Sequence, residues 1–140
     1  NFFSSTVDGY YSIQANAVEN MLIRNNSATQ GFLLNERGTT INVRMVANLA
    51  PMGSWQCMAG VQYRSNVWFW SANGGAAKCD STDTALTGVS NPGFVNPGAL
   101  DLHLTGSSPA LGKGAATEAA VTDIDGEPRT TASDAGADER

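Results

Sequence analysis

Gly9, Gly31, Gly53 and Gly75 stand at one constant interval of about 22 residues, and a second column, Asn16, Gly38 and Gly60, keeps it. Glycine and asparagine are the residues that accept a left-handed backbone, so both columns read as turns that recur once per structural unit. A fixed period in the twenties is the signature of a solenoid, in which each coil buries its apolar face only by stacking on its neighbours. This constrains the chain more than any other feature.

Stacked at that period, Tyr10-Tyr11, Phe32-Leu33, Ser54-Trp55 and Ala76-Ala77 follow successive glycines. Met21 and Ile23, then Val43 and Met45, then Ser65 and Val67 alternate with other residues, which points them to the inner face of a strand. Leu22, Arg44 and Asn66, and then Arg24, Val46 and Trp68, point outward. Asn26 and Asn48 form a further matched column, expected to be a side-chain amide ladder inside a turn. In strict register the next rung is Trp70, whereas the motif WFWSAN would put Asn73 there. An odd shift exchanges the two faces and makes Trp68 and Trp70 core, so their orientation stays open at this level.

Cys57 and Cys79 keep the same interval, one coil apart in one column. Adjacent strands lie roughly 4.8 Å apart, inside the Cα range of a disulfide of about 4.4–6.8 Å. A disulfide clamping successive coils is expected, and with it an oxidising, extracytoplasmic location. The alternative is a pair of reduced, buried thiols. A leucine-rich repeat shares this range of periods, but its leucine comb occurs only in fragments. No apolar stripe at helical spacing supports helical repeats.

Charge is unevenly placed. Of the net −5, residues 1–114 contribute nothing, with six acids and six bases, while residues 115–140 hold seven acids against two bases. There is no basic stripe, which argues against nucleic acid as a partner. No apolar run reaches the length of a membrane span. The chain opens at Asn1 with no initiator Met or signal-peptide pattern, as expected of a mature form or a fragment.

The C-terminal third carries Pro92, Phe94, Asp101, Leu104, Ser108-Pro109-Ala110, Asp123, Asp125-Gly126, Arg129 and Gly136-Ala137-Asp138-Glu139. This set resembles the ending of bacterial secreted right-handed parallel β-helix proteins of the pectate-lyase-like superfamily. Ala135, where that pattern has a β-branched residue, and Arg140, where an aromatic often follows, depart from it. The resemblance implies an all-β, right-handed, single-stranded parallel β-helix, a solenoid of about 22 residues per coil. Residues 1–90 would form the coils, and residues 91–140 the last coil and an irregular wrap acting as its cap. Phe94, Leu102 and Leu104 are the expected anchors, and Pro92, Pro97 and Pro109 the strand stops. It also brings to mind polysaccharide lyases and epimerases.

The candidate contacts are Arg24 and Arg44, on one outward diagonal, and the aromatics Trp55 and Trp68, which suit sugar rings or a protein partner. His103, between Leu102 and Leu104, points outward with no partner in view. The DIDGE run has the oxygen density of a partial Ca²⁺ loop, with Asp123 and Asp125 as donors, but reads first as an Asx turn. Ser108 lacks a base and supports the turn before Pro109. No catalytic residue and no cofactor beyond that calcium candidate are expected. The chain therefore reads as a secreted or cell-surface structural or binding module. Its alternatives are the terminal coils of a polysaccharide lyase or epimerase, or a subunit that stacks end to end. Residues 1–8 contain no capping helix, so a polysaccharide or another subunit is expected at the first coil.

Overall fold

The computed structural model describes residues 1–3, 12–34, 38–52, 57–70, 75–115, 117–118 and 120–140. Gly9, Gly53 and Trp55, with Tyr10, Tyr11 and Asn73, lie outside these. The chain is all-β, with one 3₁₀ turn at Pro97–Ala99. Its strands are β1 (Phe2–Phe3), β2 (Ile13–Gln14), β3 (Leu22–Arg24), β4 (Ser27–Ala28), β5 (Phe32–Leu33), β6 (Val43–Val46), β7 (Leu49–Pro51), β8 (Val61–Arg64), β9 (Val67–Trp70), β10 (Thr84–Thr87), β11 (Phe94–Asn96) and β12 (Asp101–Leu104). A five-stranded parallel sheet runs β1-β4-β7-β9-β10, a three-stranded one β3-β6-β8, and β2 pairs with β5. Five strands in sequence order along one sheet make about four coils of a parallel β-solenoid.

A buried polar ladder joins the two main sheets. Asn26 Nδ2 donates to Asn48 Oδ1 at 2.8 Å, Asn48 Nδ2 to Asn66 Oδ1 at 3.0 Å, and Asn66 Nδ2 to Asp83 Oδ1 at 3.2 Å. The next rung after Asn48 is therefore Asn66, neither Trp70 nor Asn73. Each asparagine follows a residue in the left-handed region, Asn25 (48°), Ala47 (52°) and Ser65 (53°), which turns the chain from one sheet into the other. The last rung is an aspartate because donors surround it. Asp83 also accepts from Trp68 Nε1 at 2.9 Å and Cys79 N–H at 3.2 Å. The expected disulfide, Cys57–Cys79, closes beside it with the Cα atoms 5.3 Å apart.

The coils are not equal, and the ladder measures them. Asn1 also donates to Asn26, so the sequence separations between rungs run 25, 22, 18 and 17 from the first coil to the last. The strands advance with them. Leu22 pairs with Arg44 and Ser27 with Leu49 at the interval of the glycine columns, but Leu49 pairs with Val67 and Val67 with Thr84 at shorter ones. Phe32 pairs with Ile13 rather than with Tyr10. The constant period therefore holds for one step only. Turn length varies while strand register is kept, because burial fixes which face of a strand looks inward.

The glycine columns are corrected accordingly. Gly38 (φ 139°) stacks on Ala17, itself at φ 52°, so the turn falls one position after Asn16. Gly60 (φ 78°) sits so close to the Thr40 carbonyl that a Cβ there would overlap it. Gly31 accepts the Ser12 N–H at 2.9 Å, and Gly75 keeps a positive φ of 69°.

Inside the coils, Phe3, Ala28, Ala50 and Trp68 face Ile23, Met45 and Tyr63 across the core. Trp68 is 4% exposed and packs edge-on against Phe32 and Tyr63, with ring centroids 6.4 and 6.1 Å away. It is a core residue and not the outward contact expected of a constant register. Met21, expected inward, is 37% exposed, and Asn66, expected outward, is buried, whereas Val46 points outward as expected and is covered by Ala115 of the wrap. Val67 is buried too, but on the other side of its strand. It lies with Phe2, Leu49, Phe69 and Leu86 on the outer face of the long sheet, beneath the C-terminal segment.

That segment begins with the antiparallel hairpin β11–β12, whose Phe94, Leu102 and Leu104 are buried as expected. It then runs back along the flank. Gly136 N–H donates to Ala47 O at 2.8 Å and Ala137 N–H to Ser27 Oγ at 2.9 Å. A Cβ on Gly136 would stand 2.6 Å from Ser27 Oγ, so only glycine lets the chain approach this closely. The wrap thus covers the side of the solenoid across its coils, in addition to following the last one.

Candidate functional site

The outer face of β3-β6-β8 carries Arg24, Arg44 and Arg64 on successive strands. Arg24 pairs with Val46 and Val46 with Arg64, while Arg44 stands one outward position earlier on the middle strand. The side chains alternate, so Ile23, Met45 and Tyr63 go into the core while the arginines are held outward on a rigid sheet. Arg24 and Arg44 thus lie on the expected diagonal. Arg64 joins them only because the third coil is shorter than the second.

A carboxylate from the wrap occupies the middle of this group. Glu118 Oε1 pairs with Arg44 Nη1, Glu118 Oε2 lies 4.0 Å from Arg64 Nη1, and the Glu118 carbonyl accepts from Arg24 Nη1 at 3.0 Å. Glu118 holds a left-handed φ of 69°, which is uncommon outside glycine and asparagine. The guanidiniums stay partly open to solvent, with side-chain exposures of 40% for Arg44 and 54% for Arg64. A cleft of about 240 Å³ lies over Arg44, Gln62, Arg64 and Glu118. A second, of about 470 Å³, runs from Leu22 and Arg24 to Thr122 and Ile124 in the wrap. Planar guanidiniums at fixed spacing bind carboxylates or sulfates through paired N–H donors.

The C-terminal motif residues are locks. Ser108 Oγ donates to Pro92 O at 2.7 Å, and Gly93 leaves the room that this contact needs. Asp123 Oδ1 accepts from Asp125 N–H (2.9 Å) and Glu127 N–H (2.8 Å), the Asx turn expected of the DIDGE run. Arg129 is buried and reaches Gly136 O at 2.8 Å and Glu139 Oε2 at 3.2 Å. Burial lowers the Arg129 pKa, and the Glu139 carboxylate opposes that shift. Glu139 in turn accepts from Thr130 N–H, Thr130 Oγ1 and Asp134 N–H.

His103 is not partnerless. Its Nδ1 lies 2.6 Å from Asp101 Oδ1 and its Nε2 3.1 Å from Asp125 Oδ2. Phe2 meets the ring edge-on at 4.9 Å. The hydrogen bond that His103 donates to Asp101 raises the imidazole pKa, and the same bond lowers that of Asp101. Spacing alone could have found Asp101, since alternate strand residues share a face. Asp125 reaches His103 only through the wrap.

The fold and these two clusters define a parallel β-solenoid flanked by its own C-terminal wrap, with an arginine-bearing sheet face. Comparison with protein-family models, curated proteins and solved structures finds no match.

Proposed function

We propose that this chain is an extracytoplasmic right-handed parallel β-helix, acting as a binding or structural module. Its β3-β6-β8 face would contact an acidic polysaccharide. The observation that carries this reading is the trio Arg24, Arg44 and Arg64 gathered around one carboxylate, Glu118. Glu118 stands where a uronate or sulfate group of a ligand would bind, and the flanking clefts give a polymer room to lie along the coils. The Cys57–Cys79 disulfide supports an oxidising compartment. The resemblance of the ending to secreted β-helix proteins agrees with it.

Binding to polygalacturonate, alginate and a neutral glucan, followed by calorimetry at two salt concentrations, tests the reading. Acidic polymers should bind and neutral ones should not, with affinity falling as salt screens the arginines. The double change R44A/R64A should abolish binding, and E118A should strengthen it by vacating the site. Equal binding of the neutral glucan, or an unchanged affinity in R44A/R64A, would refute it. Unsaturated products released from the polymer would assign the chain to a lyase instead.

A further inference from the structure

We propose that His103, Asp125 and Asp138 form a binding site for a divalent transition ion of the zinc type, with Asp101 orienting the imidazole from behind. One ligand atom from each of the three residues lies within 4.8 Å of the others. Bonds of roughly 2.0–2.2 Å would place tetrahedral ligand atoms roughly 3.3 Å apart. The 3.1 Å between His103 Nε2 and Asp125 Oδ2 already meets that spacing. Asp138 needs to close by at most about 1.5 Å to reach it.

Three features favour a metal over a chance cluster. Asp101 Oδ1 holds His103 at Nδ1 (2.6 Å) and also accepts the His103 backbone N–H (3.2 Å). In the neutral ring this keeps the proton on Nδ1 and turns the Nε2 lone pair toward Asp125, the carboxylate–histidine arrangement of metal-bound imidazoles. Asp138 is buried, and its Oδ2 accepts the Leu104 N–H at 2.7 Å, so this carboxylate is fixed at the base of the site. The Asp125 backbone N–H donates to Asp123 Oδ1 at 2.9 Å, which holds the Asp125 loop while its Oδ2 faces His103 Nε2. The ligands come from strand β12, the loop of residues 123–127 and the end of the wrap, so an ion would tie three separate segments together.

The donor set selects the metal. One imidazole nitrogen with two carboxylates suits zinc or manganese, whereas calcium takes six to eight oxygens, more than these residues offer. A cleft of about 660 Å³ lined by His103, Asp125, Glu127, Asp138, Glu139 and Arg140 opens the cluster to solvent. The bound ion would take the place of the proton that joins Nε2 to Asp125 when the imidazole is charged.

The chain contains a single histidine, so its ring resonances report on this site alone. The experiment titrates the full-length chain, free of any histidine tag, with zinc. Equilibrium dialysis gives the stoichiometry, and NMR follows the imidazole. The expected result is one zinc per chain with a shifted Nε2 signal. H103Q should abolish binding and D125N should weaken it more than tenfold. D101N should keep the stoichiometry and weaken binding by about 10–100-fold. Melting curves of the metal-free variants separate lost ligation from lost folding. D138N is preferred to D138A because its amide oxygen can still accept the Leu104 N–H. No binding at millimolar zinc, zinc retained in H103Q, or calcium bound in preference to zinc would each overturn the assignment.

Discussion

Replacing Asn48 with alanine removes the central rung of the polar ladder, and the cost can be worked from its partners. Asn48 Nδ2 donates to Ile23 O at 2.9 Å and to Asn66 Oδ1 at 3.0 Å, while its Oδ1 accepts from Asn26 N–H at 3.2 Å and Asn26 Nδ2 at 2.8 Å. Asn66 Oδ1 keeps the backbone N–H of residue 48, 3.0 Å away, so it is not orphaned. The Asn26 N–H and the Asn26 amide lose these partners in a site where Asn48 is 0% exposed, while the Ile23 carbonyl keeps its place in the β3–β6 ladder. At about 1–3 kcal/mol for each buried group left unsatisfied, and with some relaxation, N48A should cost about 3–5 kcal/mol. That is a large part of the roughly 5–15 kcal/mol a domain possesses, and corresponds to a fall in Tm of about 10–20 °C. Asn42 supplies the control, because its amide also donates to an asparagine one coil back, Asn20 Oδ1, at 2.7 Å, but in an exposed position. N42G keeps the left-handed φ of 52° and should cost less than about 1 kcal/mol. N48D adds a test of sign. Its second oxygen would face Ile23 O and Asn66 Oδ1, so the protonated form is favoured in the fold and stability should rise as the pH falls through the carboxylate range. Urea unfolding with the disulfide intact, followed by circular dichroism, measures all three. A loss in N48A no greater than that of N42G would refute the ladder as a source of stability.

Further outcomes follow from the clamp, the wrap and the core. Reducing the Cys57–Cys79 bond, or changing both residues to serine, opens a loop with a sequence separation of 22 and should lower stability by roughly 3 kcal/mol on the chain-entropy estimate. Denaturant midpoints with and without reductant check it. G136A combines a φ of 107° with a Cβ 2.6 Å from Ser27 Oγ. It should release the wrap locally, seen as faster hydrogen exchange at Ala137 and Leu104 than in the strands of the core. Tyr63, pushed up to about 12 mainly by burial, is favoured as the neutral phenol in the fold. Its contribution should therefore be intact below about pH 10 and fall between about 10 and 12. Unfolding at rising pH should separate the native chain from Y63F within that window and nowhere below it.

The solenoid was legible because its strands repeat a simple inward–outward pattern and its turns need residues that tolerate positive φ. Ile23, Val43 and Met45 all took their expected places. The cysteine spacing led to the correct bond even though the coil beside it is shorter than that spacing, since the two cysteines lie outside the paired strands. What failed was the assumption of constant coil length. Strand pairing fixes which residues are neighbours, whereas the turns between strands absorb insertions at little cost, since closure entropy grows only slowly with length. The regularity that persists is local and lies in the backbone, since Ala47 and Ser65 do not announce a left-handed turn in the sequence. A residue in the left-handed region followed by asparagine and then a strand occurs at 25–27, 47–49 and 65–67, and it gives the ladder without any fixed period.

The candidate sites were less legible for a related reason. Arg24 and Arg44 could be placed by strand register, because they stand on the repeating part of the chain. Their partner Glu118, and the Asp125 and Asp138 that meet His103, belong to the irregular wrap, whose path no periodicity encodes. That path is set by close approaches such as Gly136 on Ser27, and by buried polar locks such as Arg129 on Glu139. Each is a contact between residues far apart in sequence, or one without a repeat to predict it. In a solenoid with a wrap, the coils supply a rigid row of side chains and the wrap supplies the groups of opposite charge. The arginine cluster has that composition, whereas His103 stands on β12 of the C-terminal segment together with its aspartates, so the coils alone offered the histidine no partner.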